Sequence, residues 1–502
     1  MLNRSLYLFL LLTATGIVQA SNLSKPNLII IMADDLGFSD LGSYGGEIKT
    51  PNIDQLAYNG IRFTGFKNTS RCAPSRASLL TGRYQHGVGV GRMSLDENLP
   101  AYRGQISTDI PIIAEILQAK DYSTAIVGKW HLTNTNKSKQ EKQYPLDRGF
   151  DFFHGTWWGA KDYFSPQFMM KNDQHLAEGH YPKDYYLTDD LSKSAIDFVD
   201  SQIKQKQPFF LYLAHYAPHA PIQAPLTRVQ DIIARYKAGF LQLQRQRFER
   251  QKKLGVIPDN AKFLDQSQQW QQLNSADQNT WITTMATYAA MIEIMDEGIG
   301  HLIDLLKKSD LYDNTLIMVL SDNGSSDKQK GPKALGNLLS SLSNTPYRSH
   351  KAHTLEGGIS SPFIVHWPKQ LGQYSGQIRH GQVHINDILP TALDALAIDF
   401  PKTFQGKKTT PPDGISLINA IKGENVKSRP LFWEHYGRRA VYFKDWKLVN
   451  DGKNAPWQLF NLNTDPTEQH DLSKQSPERY ENLKKMWMDW AHKNNVLQVK
   501  KK

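Results

Sequence analysis

The sequence predicts an α/β fold: a large mixed, mostly parallel sheet between helices, followed by a smaller C-terminal antiparallel α+β subdomain. Three observations carry that expectation. Two short apolar runs, residues 27–32 (Asn-Leu-Ile-Ile-Ile-Met) and 315–320 (Thr-Leu-Ile-Met-Val-Leu), have the β-branched, continuously apolar character of buried parallel strands. Between them, strand-like and helix-like segments alternate, as parallel pairing with crossovers requires. Beyond Pro401 the texture turns to Lys, Thr and Pro and then to short sequential strands, the signature of antiparallel hairpins.

Taken in order, residues 1–20 are expected to form a secretory signal peptide. Arg4 supplies the basic region, residues 6–12 the apolar core, and Val18-Gln19-Ala20 a small-residue cleavage site. The core is too short to span a bilayer, and no other stretch reaches the roughly 18 apolar residues that a span needs. The mature chain is therefore expected to be periplasmic or secreted and free of the membrane. Residues 21–400 are expected to form the main domain and residues 401–502 the C-terminal subdomain.

After the first strand, a helix is predicted over 111–119, a strand over 123–127, a helix over 189–203, a strand over 208–214 and a long helix over 288–306. Residues 231–254, with Arg, Gln and aromatics at helical spacing, and the polar residues 259–278 form an insertion expected to cover the sheet edge or the cleft. Another strand follows at 362–366, then a strand-to-helix unit at 382–397. Short strands at 430–435, 439–443, 446–449 and 457–461, joined by tight turns such as Asp451-Gly452, precede a closing helix at 477–494.

The 502 residues are 40% hydrophobic, which suffices for a large core, and carry a formal charge of +10. That charge is compatible with a polyanionic partner; part of it is the Lys500-Lys501-Lys502 tail, and no basic-aromatic motif for nucleic acid is present. Cys72 is the only cysteine, so no intramolecular disulfide can form. A lone cysteine in an exported chain is an intermolecular bridge, an inert buried thiol, or a group kept for its chemistry.

The surroundings of Cys72 favour chemistry. Pro74, Ser75 and Arg76 open an apolar run (Ala77, Leu79, Leu80) that stops at Thr81-Gly82, which predicts a helix with Arg76 in its first turn. Cys72 then sits just before a helix N-terminus, where backbone N–H groups favour an anion or a nucleophile.

Two oxygen-rich clusters follow the two core strands: Asp34-Asp35 after the first, and Asp322-Asn323 in Ser-Asp-Asn-Gly after the second. Either pair alone is ordinary turn chemistry. Together, beyond the carboxyl ends of parallel strands, they can converge into one site. An all-oxygen donor set suits Ca²⁺ or Mg²⁺ and not zinc.

Residues 71–83, Arg-Cys-Ala-Pro-Ser-Arg-Ala-Ser-Leu-Leu-Thr-Gly-Arg, resemble the signature of the type I sulfatases, in which the Cys is oxidised to formylglycine by a maturation enzyme. Gly128-Lys129-Trp130-His131, Ala217-Pro218-His219-Ala220-Pro221 and the segment from Pro346 to Glu356-Gly357-Gly358, containing Lys351, resemble further segments of that family. In the last of these, Leu355 holds a place where bacterial arylsulfatases have His. The resemblance runs over residues 25–472, including Phe432-Trp433-Glu434-His435, to which no role is assigned.

The resemblance implies an alkaline-phosphatase-like fold and a sulfuric ester hydrolase. It implies Ca²⁺ on Asp34, Asp35, Asp322, Asn323 and the modified Cys72. Lys129, His131 and Lys351 would bind sulfate and the formylglycine hydroxyl, Arg76 would orient the nucleophile, and His219 with Lys351 would protonate the leaving oxygen; His215 lines the same pocket or is structural. Formylglycine, hydrated to a gem-diol, would attack sulfur through one hydroxyl and expel sulfate through the other, a step that a thiol cannot perform. The expected substrate is a sulfate ester on an oligosaccharide from a sulfated, algal-type polysaccharide. The alternatives are a general arylsulfatase, a phosphomonoester or phosphonate hydrolase, and an inactive binder of sulfated glycans.

Overall fold

A computed structural model describes residues 25–134, 143–176, 179, 181–328 and 333–496; the signal-peptide and lysine-tail readings lie outside them. Its centre is a ten-stranded sheet. The strands in chain order are β1 (Asn27–Ala33), β2 (Ile61–Phe63), β3 (Ser123–Lys129), β4 (Phe152–Thr156), β5 (Met169–Lys171), β6 (Gln174–His175), β7 (Phe209–Ala214), β8 (Thr315–Ser321), β9 (Phe363–His366) and β10 (Ile378–Arg379). Their spatial order is β10-β2-β9-β8-β1-β7-β3-β4-β5-β6. The five central strands β8, β1, β7, β3 and β4 are mutually parallel, and β9 and β5 run against their neighbours.

The apolar runs explain the centre. Along β1, Ile29, Ile31 and Ala33 enter one core and Leu28, Ile30 and Met32 the other, so the strand has no polar face to offer water. On the first side pack α1 (Pro51–Tyr58), α3 (Leu187–Gln205) and the long α6 (Ser275–Lys308); on the second pack α2 (Cys72–Thr81) and α8 (Ile388–Ala395).

The long helix begins at Ser275, well before the expected residue 288, because Asn274 caps it by accepting from the Asp277 N–H. Of the two expected positions for the insertion, the sheet edge is not the one taken. Its helices α4 (Leu226–Tyr236) and α5 (Gly239–Leu254) lie on the helical layer beside α6 and α7 (Lys333–Ser343), not on a sheet edge. Arg247 of α5 is fully buried, with Nη1 donating to Asp40 at 2.7 Å and Nε to Glu47 at 2.7 Å, which anchors the insertion to the loop after β1.

The second sheet is the antiparallel meander β11 (Leu431–His435), β12 (Arg438–Phe443), β13 (Trp446–Asn450) and β14 (Gln458–Asn461). Its two-residue turns are Tyr436-Gly437 and Lys444-Asp445; Tyr436, Gly437 and Lys444 have positive φ, as tight hairpins demand. Asp451-Gly452 lies instead in the longer connection from β13 to β14. One face of this sheet packs on α9 (Pro477–Lys493) through Trp487 and Leu483, and the other on Leu355 and Ile359 of the main body.

Four buried charges cross that second junction. Glu356 takes the ammonium groups of Lys67 and Lys447, the latter at 2.7 Å, and Lys447 also meets Glu468 at 2.8 Å. Burial alone would raise the Glu356 carboxyl, but Lys447 and Lys67 hold it at about 2. Two anions and two cations balance, so removing one leaves a buried charge uncompensated, at a cost of about 3–5 kcal/mol. Lys447→Met should therefore lower the unfolding free energy by about that amount in chemical denaturation; an unchanged midpoint would show that the junction does not depend on this network.

Candidate active site

The register of the central strands brings the chemistry-bearing loops to one level. Ala33 pairs with Ser321, Met32 with Ala214 and Gly128 with Ala214, so the chain leaves β1, β8, β7 and β3 at neighbouring points on the carboxyl edge of the sheet. Gly128 is a geometric necessity there. Its φ is +112°, and a Cβ would lie 1.9 Å from the Ala214 carbonyl oxygen.

Asp34 and Asp35 follow β1 directly, and Asp322 and Asn323 follow β8. Asp35 has φ +71°, a left-handed conformation that Asp tolerates better than most residues. That turn lets its N–H reach Asp322 Oδ1 at 3.3 Å. His131, Ser70, Ser349 and Ala352, on the surrounding loops, also have positive φ, and strain gathered in this way is common around functional clusters.

Cys72 is the first residue of α2 and is 1% exposed. The helix starts slightly earlier than expected, so Arg76 falls in the second turn. Ser75 supports the start: its hydroxyl accepts from the Thr69 N–H at 3.1 Å, and its N–H donates to the Arg71 carbonyl at 2.9 Å. Gly82, at φ +67°, closes the helix as expected. Arg76 is fully buried; it donates to the Lys129 carbonyl and to Asp322 Oδ2, each at 2.9 Å, and so ties α2 to the ends of β3 and β8.

Ligand atoms of Asp34, Asp35, Cys72 and His219 all lie within 4.8 Å of one another. Lys129 bonds Asp34 and Lys351 bonds Asp35. His219 Nε2 stands 3.7 Å from Asp35 Oδ2, its Nδ1 bonds the Ala220 carbonyl, and Tyr163 Oη donates to the His219 carbonyl at 2.8 Å. Asn323 Nδ2 donates to Asp35 Oδ1 at 2.6 Å. His131, with its carbonyl held by Ser94 Oγ at 2.9 Å, hydrogen-bonds Cys72.

Electrostatics explains why these groups tolerate one another. Burial and the Asp34 charge raise the Cys72 thiol, but Lys129, Lys351 and His131 outweigh them and hold it well below the ordinary thiol range. Burial opposes ionisation of Asp34 too, and Lys129, His219, Lys351 and Arg76 reverse it. Asp322 fares otherwise: burial and the like charges of Asp34 and Cys72 push its carboxyl well above the usual range despite Arg76 and Lys351. His131 is pushed down to about 4 by burial and Lys129, so it is neutral at neutral pH.

The cluster is thus short of positive charge at Asp322, and it also holds unpaired acceptors. Asp34 Oδ1, Asp35 Oδ2 and Asn323 Oδ1 are buried without a hydrogen-bond partner among the described residues. Three carboxylates and an amide are the donors that a hard divalent cation takes. Asn323 needs only a rotation of its amide to offer oxygen, and the two amide orientations are nearly equivalent in shape. The donor set therefore fits a Ca²⁺-type ion, with His219 a neighbour that the sequence did not place among the ligands.

His215 stands apart. It is fully buried, neither ring nitrogen has a partner among the described residues, and burial alone lowers it to about 4. No charged group of the cluster acts on it, which favours the structural reading of this residue. Nothing in the sequence marks Tyr163, which precedes the His219 it supports by 56 residues and lies in no motif. Asn344 was also missed; it accepts from the Ser325 N–H at 2.9 Å and donates to the Ser349 carbonyl at 3.2 Å, so it shapes the loop that delivers Lys351.

Comparison with known proteins gives concordant results. The family model described as Sulfatase matches residues 26–398. An uncharacterized sulfatase of Schizosaccharomyces pombe is 31% identical, covering 94% of each chain. The arylsulfatase of Klebsiella aerogenes is 30% identical over 82% of this chain and 96% of its own. Among solved structures, Ps i-CgsB in complex with k-i-k-neocarrahexaose superposes with a TM-score of 0.71 at 29% identity, covering 94% of each chain.

Proposed function

The chain belongs to the sulfatase family and is a sulfuric ester hydrolase, and from that premise we propose that it cleaves sulfate esters on oligosaccharides of sulfated polysaccharides, using formylglycine at position 72 and Ca²⁺. The observation that carries this reading is the buried cluster of Asp34, Asp35, Asp322 and Asn323 around Cys72, ringed by Lys129, Lys351 and Arg76.

The residues divide the work that the reaction demands. Sulfur must be approached in line while the charge on the sulfate oxygens is neutralised and the leaving oxygen receives a proton. Formylglycine supplies an oxygen nucleophile that is regenerated each turnover, and the cation supplies charge neutralisation. Lys129 and Lys351, whose ammonium groups reach the centre of the cluster, hold sulfate oxygens. Arg76 fixes Asp322 and the end of β3 beside residue 72. Neutral His131 orients the group at position 72. His219 directs Nε2 toward the centre, because its Nδ1 is taken by the Ala220 carbonyl, and passes a proton from Nε2 to the leaving oxygen.

A groove of about 480 Å³ supports the carbohydrate reading. Its lining includes Ala220, the residue after His219, with Pro221, Ile222, Thr283 and Thr287 of α6, and Lys328. Methyl groups and hydroxyls in one wall suit a sugar face and its edges. The carrageenan fragment named for the similar solved structure points the same way, and the sequence-level signal peptide would place the enzyme where such polymers are met.

Two outcomes follow. Mass spectrometry of the peptide spanning residue 72, from protein made with a maturation enzyme, should show a loss of about 18 Da relative to cysteine; free thiol throughout a preparation that turns over sulfate esters would contradict the assignment. Sugar alkoxides leave poorly and nitrophenolate leaves readily, so His219→Ala should depress kcat on a sugar sulfate about 10²–10⁴-fold and on nitrophenyl sulfate far less. Wild-type turnover of aryl sulfates but of no carrageenan, ulvan, fucoidan or glycosaminoglycan fragment would replace the carbohydrate reading with a general arylsulfatase.

A further inference from the structure

We propose that Arg71 and His435 form a second binding point in the active site, which takes an additional anionic group, a sulfate or a carboxylate, on the unit that carries the scissile ester. This rests on the carbohydrate reading above, and the experiment below separates the two.

Arg71 is the N-cap residue of α2, immediately before Cys72, with extended backbone (φ −151°, ψ 146°). Its Nε points at Met93 Sδ at 3.4 Å, and its two Nη groups have no acceptor among the described residues. Arg71 is half-buried, directly precedes Cys72 in the chain, and its charge acts on both Lys351 and His435. The other cations of the site are already engaged: Lys129 with Asp34, Lys351 with Asp35, and Arg76 with Asp322. Among the described residues, Arg71 forms no ion pair with the carboxylates of the cluster.

His435 comes from the other sheet. It ends β11, is 1% exposed, and neither ring nitrogen has a hydrogen-bond partner among the described residues. A buried imidazole with two idle nitrogens is costly unless something pairs with them. Its position is closely held. Trp433 Nε1 donates to the Asn68 carbonyl at 2.7 Å, and Glu434 takes His86 Nε2 at 2.8 Å and the Gly437 N–H at 2.8 Å. The Ala352 N–H donates to the Ser70 carbonyl at 2.8 Å, joining the Lys351 loop to the same segment.

The β11–β12 hairpin is thereby tied to the segment that leads into Cys72, and the charges of Arg71 and Cys72 both act on His435. Half-exposed Tyr436 packs edge-on against the His435 ring at 4.6 Å and forms a rim, where Arg92 stacks on it at 5.0 Å. The chemistry of the pair is complementary. A guanidinium offers a fixed fork of donors that matches two oxygens of a sulfate or carboxylate. Burial, with Arg71, His86 and Arg438, keeps His435 neutral, so its ring offers one donor and one acceptor to a sugar hydroxyl. Neither residue is needed to hold the cation or to move a proton, so the pair is free to select the substrate.

The test compares kcat/KM for matched substrates that differ by one negative group: a sugar monosulfate against the same sugar bearing a second sulfate or a uronate carboxylate, and nitrophenyl sulfate against a nitrophenyl sulfate bearing a carboxylate. The quantity read is the ratio of doubly to singly charged substrate within one preparation, which cancels differences in folding or in conversion of Cys72. Wild type should prefer the doubly charged member, and whether the sulfate or the carboxylate arm shows the preference identifies the group. Arg71→Ala should lower the ratio about 10- to 100-fold, mainly through KM, and Arg71→Lys should recover part of it. His435→Phe, which keeps a ring and removes both nitrogens, should raise KM for the sugar pair more than for the aryl pair. An unchanged ratio in Arg71→Ala overturns the proposal. Sugar turnover without preference for the second charge refutes the subsite alone; a preference within the aryl pair with no sugar turnover refutes the carbohydrate reading and leaves the subsite standing.

Discussion

Three carboxylates buried at the end of one sheet must be neutralised, and the structure around them is arranged to do so. At an effective dielectric of about 20, two like charges some 5 Å apart repel by roughly 3–4 kcal/mol, far more than an exposed ion pair returns. Asp34, Asp35 and Asp322 coexist because Lys129, Lys351 and Arg76 arrive from three separate segments. Each cation is therefore positioned by the fold as a whole: Lys129 by a strand end, Arg76 by the second turn of α2, Lys351 by the loop between α7 and β9. The remaining deficit, concentrated at Asp322 and at the unpaired oxygens of Asp34, Asp35 and Asn323, is the place for a divalent cation.

The same constraint connects the two sheets. The loop that carries Lys351 continues into Glu356, whose carboxylate is clamped by Lys67 from one sheet region and Lys447 from the other. Asn68 accepts from Trp433, and Ser70 from the backbone of that loop, four and two residues before Cys72. The C-terminal meander is thus tied to the loops around the site and is not an appendage. Its first strand carries His435 and is tied through Trp433 to the segment that leads into Cys72.

Much of this was legible in the sequence because it is local. The run Asn-Leu-Ile-Ile-Ile-Met followed by Asp-Asp states a buried strand and what stands at its end, and Thr-Leu-Ile-Met-Val-Leu followed by Ser-Asp-Asn states the second. Their adjacency follows from the parallel register, which the apolar character of both faces demands. What was not legible depends on pairing between distant segments. No spacing rule places Tyr163 on the His219 carbonyl, Asn344 under the Lys351 loop, or Trp433 on the Asn68 carbonyl. The start of α6 was missed for another reason: its first turns are polar and exposed, so hydrophobic periodicity is silent there and only the Asn274 cap marks the boundary.

That the carboxylate cluster is built for one hard divalent cation is tested most directly by titrating chelator-treated protein with Ca²⁺ and following both calorimetric heat and thermal unfolding. One Ca²⁺ per chain should bind, raising stability by about 2.7 kcal/mol at a hundredfold excess over Kd, with the effect lost in Asp35→Asn. No binding, or stoichiometric zinc in its place, would contradict the assignment.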